Sequence, residues 1–346
     1  VDLHTHLREP GSEEAETIDA ASRAAVLGGF GAVVAMPDTS HAVDAAAAVR
    51  DVQALARDAL CDVCVAGAIT VGRHGDRLTP MAEMAALGVR LFTDADRGVQ
   101  DDRLMRRALE YASGLGVTLA QHCEAGALAE GGHMNEGALS SWLGIPGIPA
   151  EAEELMLMRD VTLSRLTGAK VHFLHLSTAG SAGILRAAKS SGLPVTAAVA
   201  PHHFALSEQA VSTFDPVFKV SPPLRTDGDV DAIKQALQDG VFDAIASDHA
   251  PHEPHMKELP FDEAPPGVTG LETAFSVALT ELDLPLARLL ALFSWQPAAV
   301  AGIADQHGGP IEPGRQANLT VSDPDATWVV DAAASASRGK NNPSDG

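Results

Sequence analysis

The feature that most constrains this chain is an alternation of two kinds of segment along most of its length. Short β-branched or apolar runs at 1–6, 31–36, 62–70, 89–93, 117–122, 170–175, 194–199 and 242–247 predict strands. Longer amphipathic, Ala-rich runs between them predict helices at Thr17 to Leu27, Ala45 to Leu60, Arg103 to Leu115, Glu151 to Leu166, Ala179 to Ser190 and Asp229 to Gln238. Glycines at Gly88, Gly116, Gly192 and Gly240 mark the joints, as helix ends and turns require. Strand and helix in alternation predict a parallel sheet, and eight such units predict a closed (β/α)8 barrel, an α/β fold. Neither G-x-G-x-x-G nor a P-loop occurs, which removes the main nucleotide-binding versions of an open sheet.

The barrel is expected to occupy 1–305, closing with a helical run from Leu286 to Ala301. The remaining 306–346 should lie outside it, with a turn and strand over Gly314 to Val321 and a loose polar tail from Ser335 to Gly346. Two connections, Gly126 to Pro149 and His249 to Gly270, are longer than the rest. They follow the fifth and eighth strands. Loops after barrel strands lie on the carboxyl-terminal face, so both are lid candidates.

Composition narrows the function. The chain has 24 basic against 46 acidic residues, a formal charge of -22, which argues against nucleic acid and against an anionic membrane surface. The expected partner is a small-molecule substrate, and apolar stretches are too short for a spanning helix. Three cysteines are too few to staple 346 residues and suit a reducing cytoplasm. Cys61 and Cys64 have C-x-x-C spacing but no second pair, so they read as packing residues. The chain opens on Val1 already inside a strand, and a native N-terminal segment is expected to precede it.

The chemistry is concentrated at strand ends. His4 and His6 stand at i and i+2 of the first strand, so both face one side of it. The fifth strand ends on His122, the sixth on His175 and the eighth on Asp248-His249. One histidine at a strand end is usually structural; four histidines and an aspartate on the same barrel face make a set of N and O ligands suited to zinc. Such an ion acidifies water to a pKa near 7. Asp248 would then be both ligand and general acid/base. Arg8, on the loop after His6, could fork onto a substrate carboxylate. His252 is a plausible substrate donor, and at most one of His202 and His203 should line the pocket.

Several segments resemble the dihydroorotases of the amidohydrolase superfamily, most closely the bacterial long-chain type. They are Val1-Asp2-Leu3-His4-Thr5-His6-Leu7-Arg8-Glu9-Pro10-Gly11, Phe173-Leu174-His175-Leu176-Ser177-Thr178, Ala200-Pro201-His202-His203, Ser221-Pro222-Pro223-Leu224-Arg225, Ile245-Ala246-Ser247-Asp248-His249-Ala250-Pro251-His252 and Pro266-Gly267-Val268-Thr269-Gly270. The resemblance implies reversible hydrolysis of (S)-dihydroorotate to N-carbamoyl-L-aspartate in pyrimidine synthesis. It implies that His4, His6 and Asp248 hold one zinc and His122 and His175 a second, that Arg8 and His252 hold the substrate, and that backbone at Pro266 and Gly267 contacts its ring. It also implies a small β-sandwich built from both termini, of which only a remnant near Asn318 to Val321 would be present here.

Three positions depart from that family's pattern. The carboxylate expected to bridge two metals is replaced by Ala95, leaving Asp96, or alternatively Asp94, to serve, and one or two ions to be held. A substrate-binding Asn is Asp38 here, whose charge would repel a substrate carboxylate unless its pKa is raised or Arg8 offsets it; Asp38→Asn is expected to tighten binding. A second Asn is the shorter Ser221. Two other readings stand beside dihydroorotase. One is a hydantoinase-like or dihydropyrimidinase-like enzyme for another cyclic amide. The other is a catalytically silent scaffold for aspartate transcarbamoylase. A homodimer is also an open expectation.

Overall fold

The computed structural model describes residues 1–346. Its strands are β1 (Asp2–Thr5), β2 (Ala32–Ala35), β3 (Asp62–Val65), β4 (Leu91–Phe92), β5 (Thr118–Gln121), β6 (Met134–Asn135), β7 (Gly147–Ile148), β8 (Val171–Phe173), β9 (Val195–Val199) and β10 (Ala244–Ile245). All eight expected strands are present, and β6 and β7 are additional, paired with each other inside the long loop after β5. Every pairing is parallel, in the orders β1-β2-β3 and β10-β9-β8-β5-β4. Single bridges Thr5↔His249 and Gly67↔Phe92 join the free edges of these two sheets and close the barrel.

Side-chain alternation along the strands separates two apolar regions. Leu3, Ala32, Val34, Ala66, Leu91, Ala120, Leu174, Ala198, Ala244 and Ala246 form one cluster with Ala298 and Val300. Their strand neighbours Val33, Phe92, Leu119, Val171, Phe173, Val199 and Ile245 pack with the surrounding helices in the larger cluster. Alanine dominates the first set. Small side chains let the strands draw together without overpacking.

Helix starts follow from sequence. Thr17, Asp101, Thr178 and Thr226 precede the helices Ile18–Leu27, Asp102–Leu115, Ala179–Ser190 and Asp227–Gln238, and each accepts a bond from a first-turn amide. Such a cap contributes about 1 kcal/mol. The run expected to be one helix from Leu286 to Ala301 is two, Leu286–Phe293 and Trp295–Val300. Pro297 has no amide hydrogen to give the carbonyl four residues earlier; that carbonyl, on Phe293, instead accepts from the backbone nitrogen of Val1 at 2.7 Å.

Two C-terminal expectations need correction. The strand expected within Gly314 to Val321 is irregular chain, with Val321 98% exposed, because no other segment of this chain offers it a ladder partner. The 306–346 segment contains only a short helical turn, Ala332–Ala334, and no sheet. The tail expected to be loose is instead packed onto the barrel, with Ser337, Asn341 and Asn342 buried.

Candidate metal centre and substrate pocket

The carboxyl ends of β1, β5, β8 and β10 converge on one cavity of about 210 Å³. Its lining includes His4, His6, His122, His175 and Asp248, with Asp96, Arg8, Asp38, Ser221, His252, Pro266 and Gly267. The structure thus brings together the residues that the sequence singled out from segments far apart in the chain. Asp94 is the exception. Its carboxylate accepts from the amides of Ile69 (2.9 Å) and Thr70 (3.0 Å) and from the Thr70 hydroxyl, so it ties the loop after β3 and faces away from the cavity. Asp96 reaches the rim but is held by Arg73 at 2.5 Å.

Local backbone geometry aims the first histidines. Asp2 pairs with Val33 and Thr5 with Ala35, so three steps along β1 match two along β2. This slip lets Leu3 pack in the cluster with Val34 while His4 still reaches the cavity. The buried Asp2 carboxylate fixes the strand against the end of β10, accepting from the amide of Ser247 (2.6 Å) and its hydroxyl (2.8 Å). Non-glycine residues with positive φ are Arg8 (61°), Arg73 (57°), Ala95 (52°), Phe214 (58°) and Asp248 (51°). Four of these five lie in or beside the pocket, a concentration of strain, about 1–3 kcal/mol per residue, of the kind found at functional sites.

The imidazoles face one another without being satisfied. His4 Nε2 lies 3.1 Å from His6 Nε2 and 3.5 Å from Asp248 Oδ1, and His122 Nδ1 lies 3.5 Å from His175 Nε2. His4 Nδ1, His122 Nε2 and His175 Nδ1 are buried without a hydrogen-bond partner. Burial, then the neighbouring His6 and His4 respectively, pushes His4 and His175 well below the usual imidazole range. Neutral imidazole is the form that ligates. Burial lifts Asp248 to about 6 against the pull of His6 and His122. Burial disfavours a charged His122, but Glu124, 3.9 Å away, more than offsets this and raises it.

These features fit a cation. Imidazole nitrogens and a carboxylate crowded together in a buried cavity are costly alone, and an ion among them would satisfy those that face it. The three ligand atoms that come closest together, all within 4.8 Å, belong to His4, His175 and Asp248. This set straddles the two ion positions that the family resemblance implies. Ala95, which stands where the family pattern has its bridging carboxylate, is buried in the apolar cluster of the strands and has no side-chain oxygen to offer.

Asp38 is ionised by its surroundings. Burial would raise it, but His6, Arg8 and Arg73 together hold it far below the usual carboxylate range. Its Oδ2 lies 2.7 Å from His6 Nδ1 and 2.9 Å from Arg8 NH1, so of the two escapes expected from the sequence, charge compensation by Arg8 is the one observed. His252 is pushed down to about 3 by burial and by Arg8, and its Nε2 lies 2.8 Å from the Pro266 carbonyl, so it donates there as a neutral ring. Gly267, at φ +133°, sits where a Cβ would stand 2.9 Å from His252 Nε2.

Sequence reasoning missed Glu124 and Arg73. Glu124 lay in view two residues beyond His122, whereas nothing local marked Arg73, which reaches the site from the loop after β3. Of the histidine pair, His202 Nε2 stands 3.6 Å from Asp248 Oδ2 while His203 turns to the Pro222 carbonyl. They open a helical turn, Pro201–Ala205, rather than ending a strand.

The class that the fold and site define is a closed parallel barrel with imidazoles and a carboxylate gathered at its carboxyl end. The fold superimposes on the L-hydantoinase (dihydropyrimidinase) of Arthrobacter aurescens with a TM-score of 0.86 at 21% identity, covering 100% of this chain and 80% of that one. The dihydropyrimidinase of Brevibacillus agri gives 0.81 at 21% identity over 100% and 79%. Sequence is more specific. A family described as dihydro-orotase-like matches residues 1–181. The dihydroorotase of Pelotomaculum thermopropionicum is 45% identical over 99% of this chain and 81% of its own length, and that of Mycobacterium tuberculosis 46% over 99% and 81%. The chain belongs to the dihydroorotase family.

Proposed function

We infer that this chain hydrolyses (S)-dihydroorotate reversibly to N-carbamoyl-L-aspartate, in pyrimidine synthesis, with zinc at the imidazole centre. One observation carries the reading beyond family membership. Arg8, a guanidinium whose side chain is 17% exposed, stands on the wall of the same cavity that holds the imidazoles and Asp248. A cyclic amide bearing a carboxylate uses such a cation; a neutral hydantoin ring does not.

His4, His6, His122, His175 and Asp248 would hold the ion or ions, which supply Lewis acidity and a water-derived nucleophile at neutral pH. Asp248 takes the proton of the attacking water and returns it to the ring nitrogen as the C–N bond breaks. Arg8 receives the substrate carboxylate, and its bonds to Asp38 and to the Pro251 carbonyl (3.2 Å) fix the direction of its free N–H groups. The Pro266–Gly267 backbone forms the facing wall, next to the substrate ring. Asp96, engaged by Arg73, is a weak candidate for a bridging ligand, which favours one tightly held ion over two.

The test is hydrolysis of dihydroorotate by zinc-reconstituted protein, with dihydrouracil as comparator and a chelated control. Chelator-sensitive turnover of dihydroorotate alone is the expected result, and turnover of dihydrouracil alone would reassign the substrate. A further prediction concerns Asp38. Its bond to His6 Nδ1 makes it the outer partner of a ligating imidazole, and losing such partners costs about tenfold or more in metal affinity. Asp38→Asn is therefore expected to lower zinc affinity about tenfold; at saturating zinc, the lost repulsion should still lower the KM for dihydroorotate. Equal zinc affinity in competitive chelator titration would show that Asp38 does not support His6.

A further inference from the structure

The tail that follows the irregular 308–331 stretch returns to the barrel and crosses behind the substrate pocket. Ser335 Oγ and the Ala336 amide donate to Glu272 at 2.6 and 2.8 Å. Ser337 Oγ and the Arg338 amide donate to Oε2 and Oε1 of the buried Glu16 at 2.5 and 3.2 Å, and His249 Nε2 lies 3.3 Å from the same Oε2 that Ser337 bonds. Gly339 passes so close to Pro251 that a Cβ would stand 2.5 Å from its ring. The Pro251 carbonyl is the one that Arg8 Nε bonds.

Asn341 then inserts between the two loops that form the pocket wall. Its Nδ2 donates to the Ala250 carbonyl and to the Gly267 carbonyl, both at 3.0 Å. Its Oδ1 accepts from the His252 amide at 3.1 Å, and its own carbonyl accepts from the Thr269 amide at 2.9 Å. The side chain is 5% exposed and uses both donors and its acceptor on backbone of the segments carrying His252 and Gly267. The two loops also bond each other directly, the Ala250 amide donating to the Val268 carbonyl at 2.7 Å and His252 Nε2 to the Pro266 carbonyl at 2.8 Å, and Asn341 adds a second set of bonds across them from outside the pocket.

We propose that the 335–342 segment is a strap belonging to the substrate site, and that Asn341 is a positioning residue which, together with the direct bonds between them, holds the His252 loop and the Pro266–Gly267 loop in register. This rests on the dihydroorotase reading for its substrate, though not for its geometry. The bound ligand is held by the inner side of the two loops and Asn341 by the outer side. Loosening the amide therefore weakens ligand binding while leaving the imidazoles and Asp248, anchored on strand ends, in place.

The experiment compares the full chain with its Asn341→Ala and Asn341→Asp variants. Asp keeps the acceptor for the His252 amide but replaces the two donors with a charge facing two carbonyls. Both variants are expected to raise the KM for dihydroorotate about tenfold with kcat within about threefold, the pattern of lost uniform binding. Zinc content should stay unchanged. Amide hydrogen exchange, which needs no substrate, should accelerate at 249–252 and 266–270 and not in β8 or β9. An unchanged KM with unchanged exchange overturns the proposal. So does a fall in kcat accompanied by faster exchange throughout the barrel, which would mark Asn341 as a residue of general stability only. If the wild-type chain itself fails to turn over dihydroorotate, the functional reading fails, and local exchange at those two loops alone decides the strap.

Discussion

Asp248→Asn is expected to lower turnover of dihydroorotate by about a thousandfold or more, at the upper end of what one general acid/base contributes, because the same side chain is also a ligand. The substitution preserves shape, so the loss isolates proton transfer and charge. Asp248 sits at φ 51° just past β10, with Oδ1 3.5 Å from His4 Nε2 and Oδ2 3.6 Å from His202 Nε2, and no other carboxylate lies as close to His4. A neutral amide in that place accepts no proton from the attacking water and offers a weaker oxygen to the ion. Steady-state rates with zinc content measured on the same samples provide the check. A rate within tenfold of wild type at full zinc occupancy would remove Asp248 from the proton path, and the mechanism would have to move to Glu124 or His202.

Glu153→Ala should be the most damaging single change to stability outside the centre, costing about 3–5 kcal/mol. Glu153 is buried in the helix Ala150–Thr167 and accepts from the Ser177 amide at 3.0 Å, the Ser177 hydroxyl at 2.5 Å and the Thr178 amide at 3.2 Å. Arg225, also buried, donates to Ser177 Oγ, Asn135 Oδ1 and the Ile148 carbonyl at 3.1, 2.9 and 3.0 Å. Burial lowers Arg225 and Glu153 is the largest charge opposing that. Removing the carboxylate leaves the Ser177 and Thr178 amides without their acceptor and the buried Arg225 without the largest charge that offsets its burial, whereas Glu153→Gln keeps an acceptor and should cost less. Denaturant unfolding of the two variants makes the comparison. A Glu153→Ala cost below about 1 kcal/mol would mean that water enters and replaces the carboxylate.

This network also shows where sequence reading ended. The Gly126 to Pro149 stretch reads as an open loop because its apolar residues carry no period. In the structure it holds helices Gly126–Ala129 and Ala138–Leu143 and the β6-β7 pair, and Arg225 and Glu208 secure it through Asn135. Strands of two residues leave no alternation to detect, and their partners lie far along the chain. Asn341 is similar: a polar residue in a polar tail has no sequence mark, and its role exists only because the tail folds back onto 250–252 and 267–269.

What the sequence determined by itself is what repeats or what stands at a strand end. Alternating periods of two and 3.6 specified eight strands and their helices, and parity along a strand placed His4 and His6 on one side, because side-chain direction is a local property of the backbone. Convergence of four imidazoles and Asp248 was legible for the same reason, since every strand of a parallel barrel delivers its carboxyl end to one face. Tertiary structure decided matters that depend on distance between remote segments. It gave Asp94 to the loop after β3, engaged Asp96 with Arg73, compensated Asp38 with Arg8 and His6, and turned the tail into a strap. Each is an electrostatic or hydrogen-bond pairing between residues tens to hundreds of positions apart. Such pairings are fixed by packing, which no local pattern encodes.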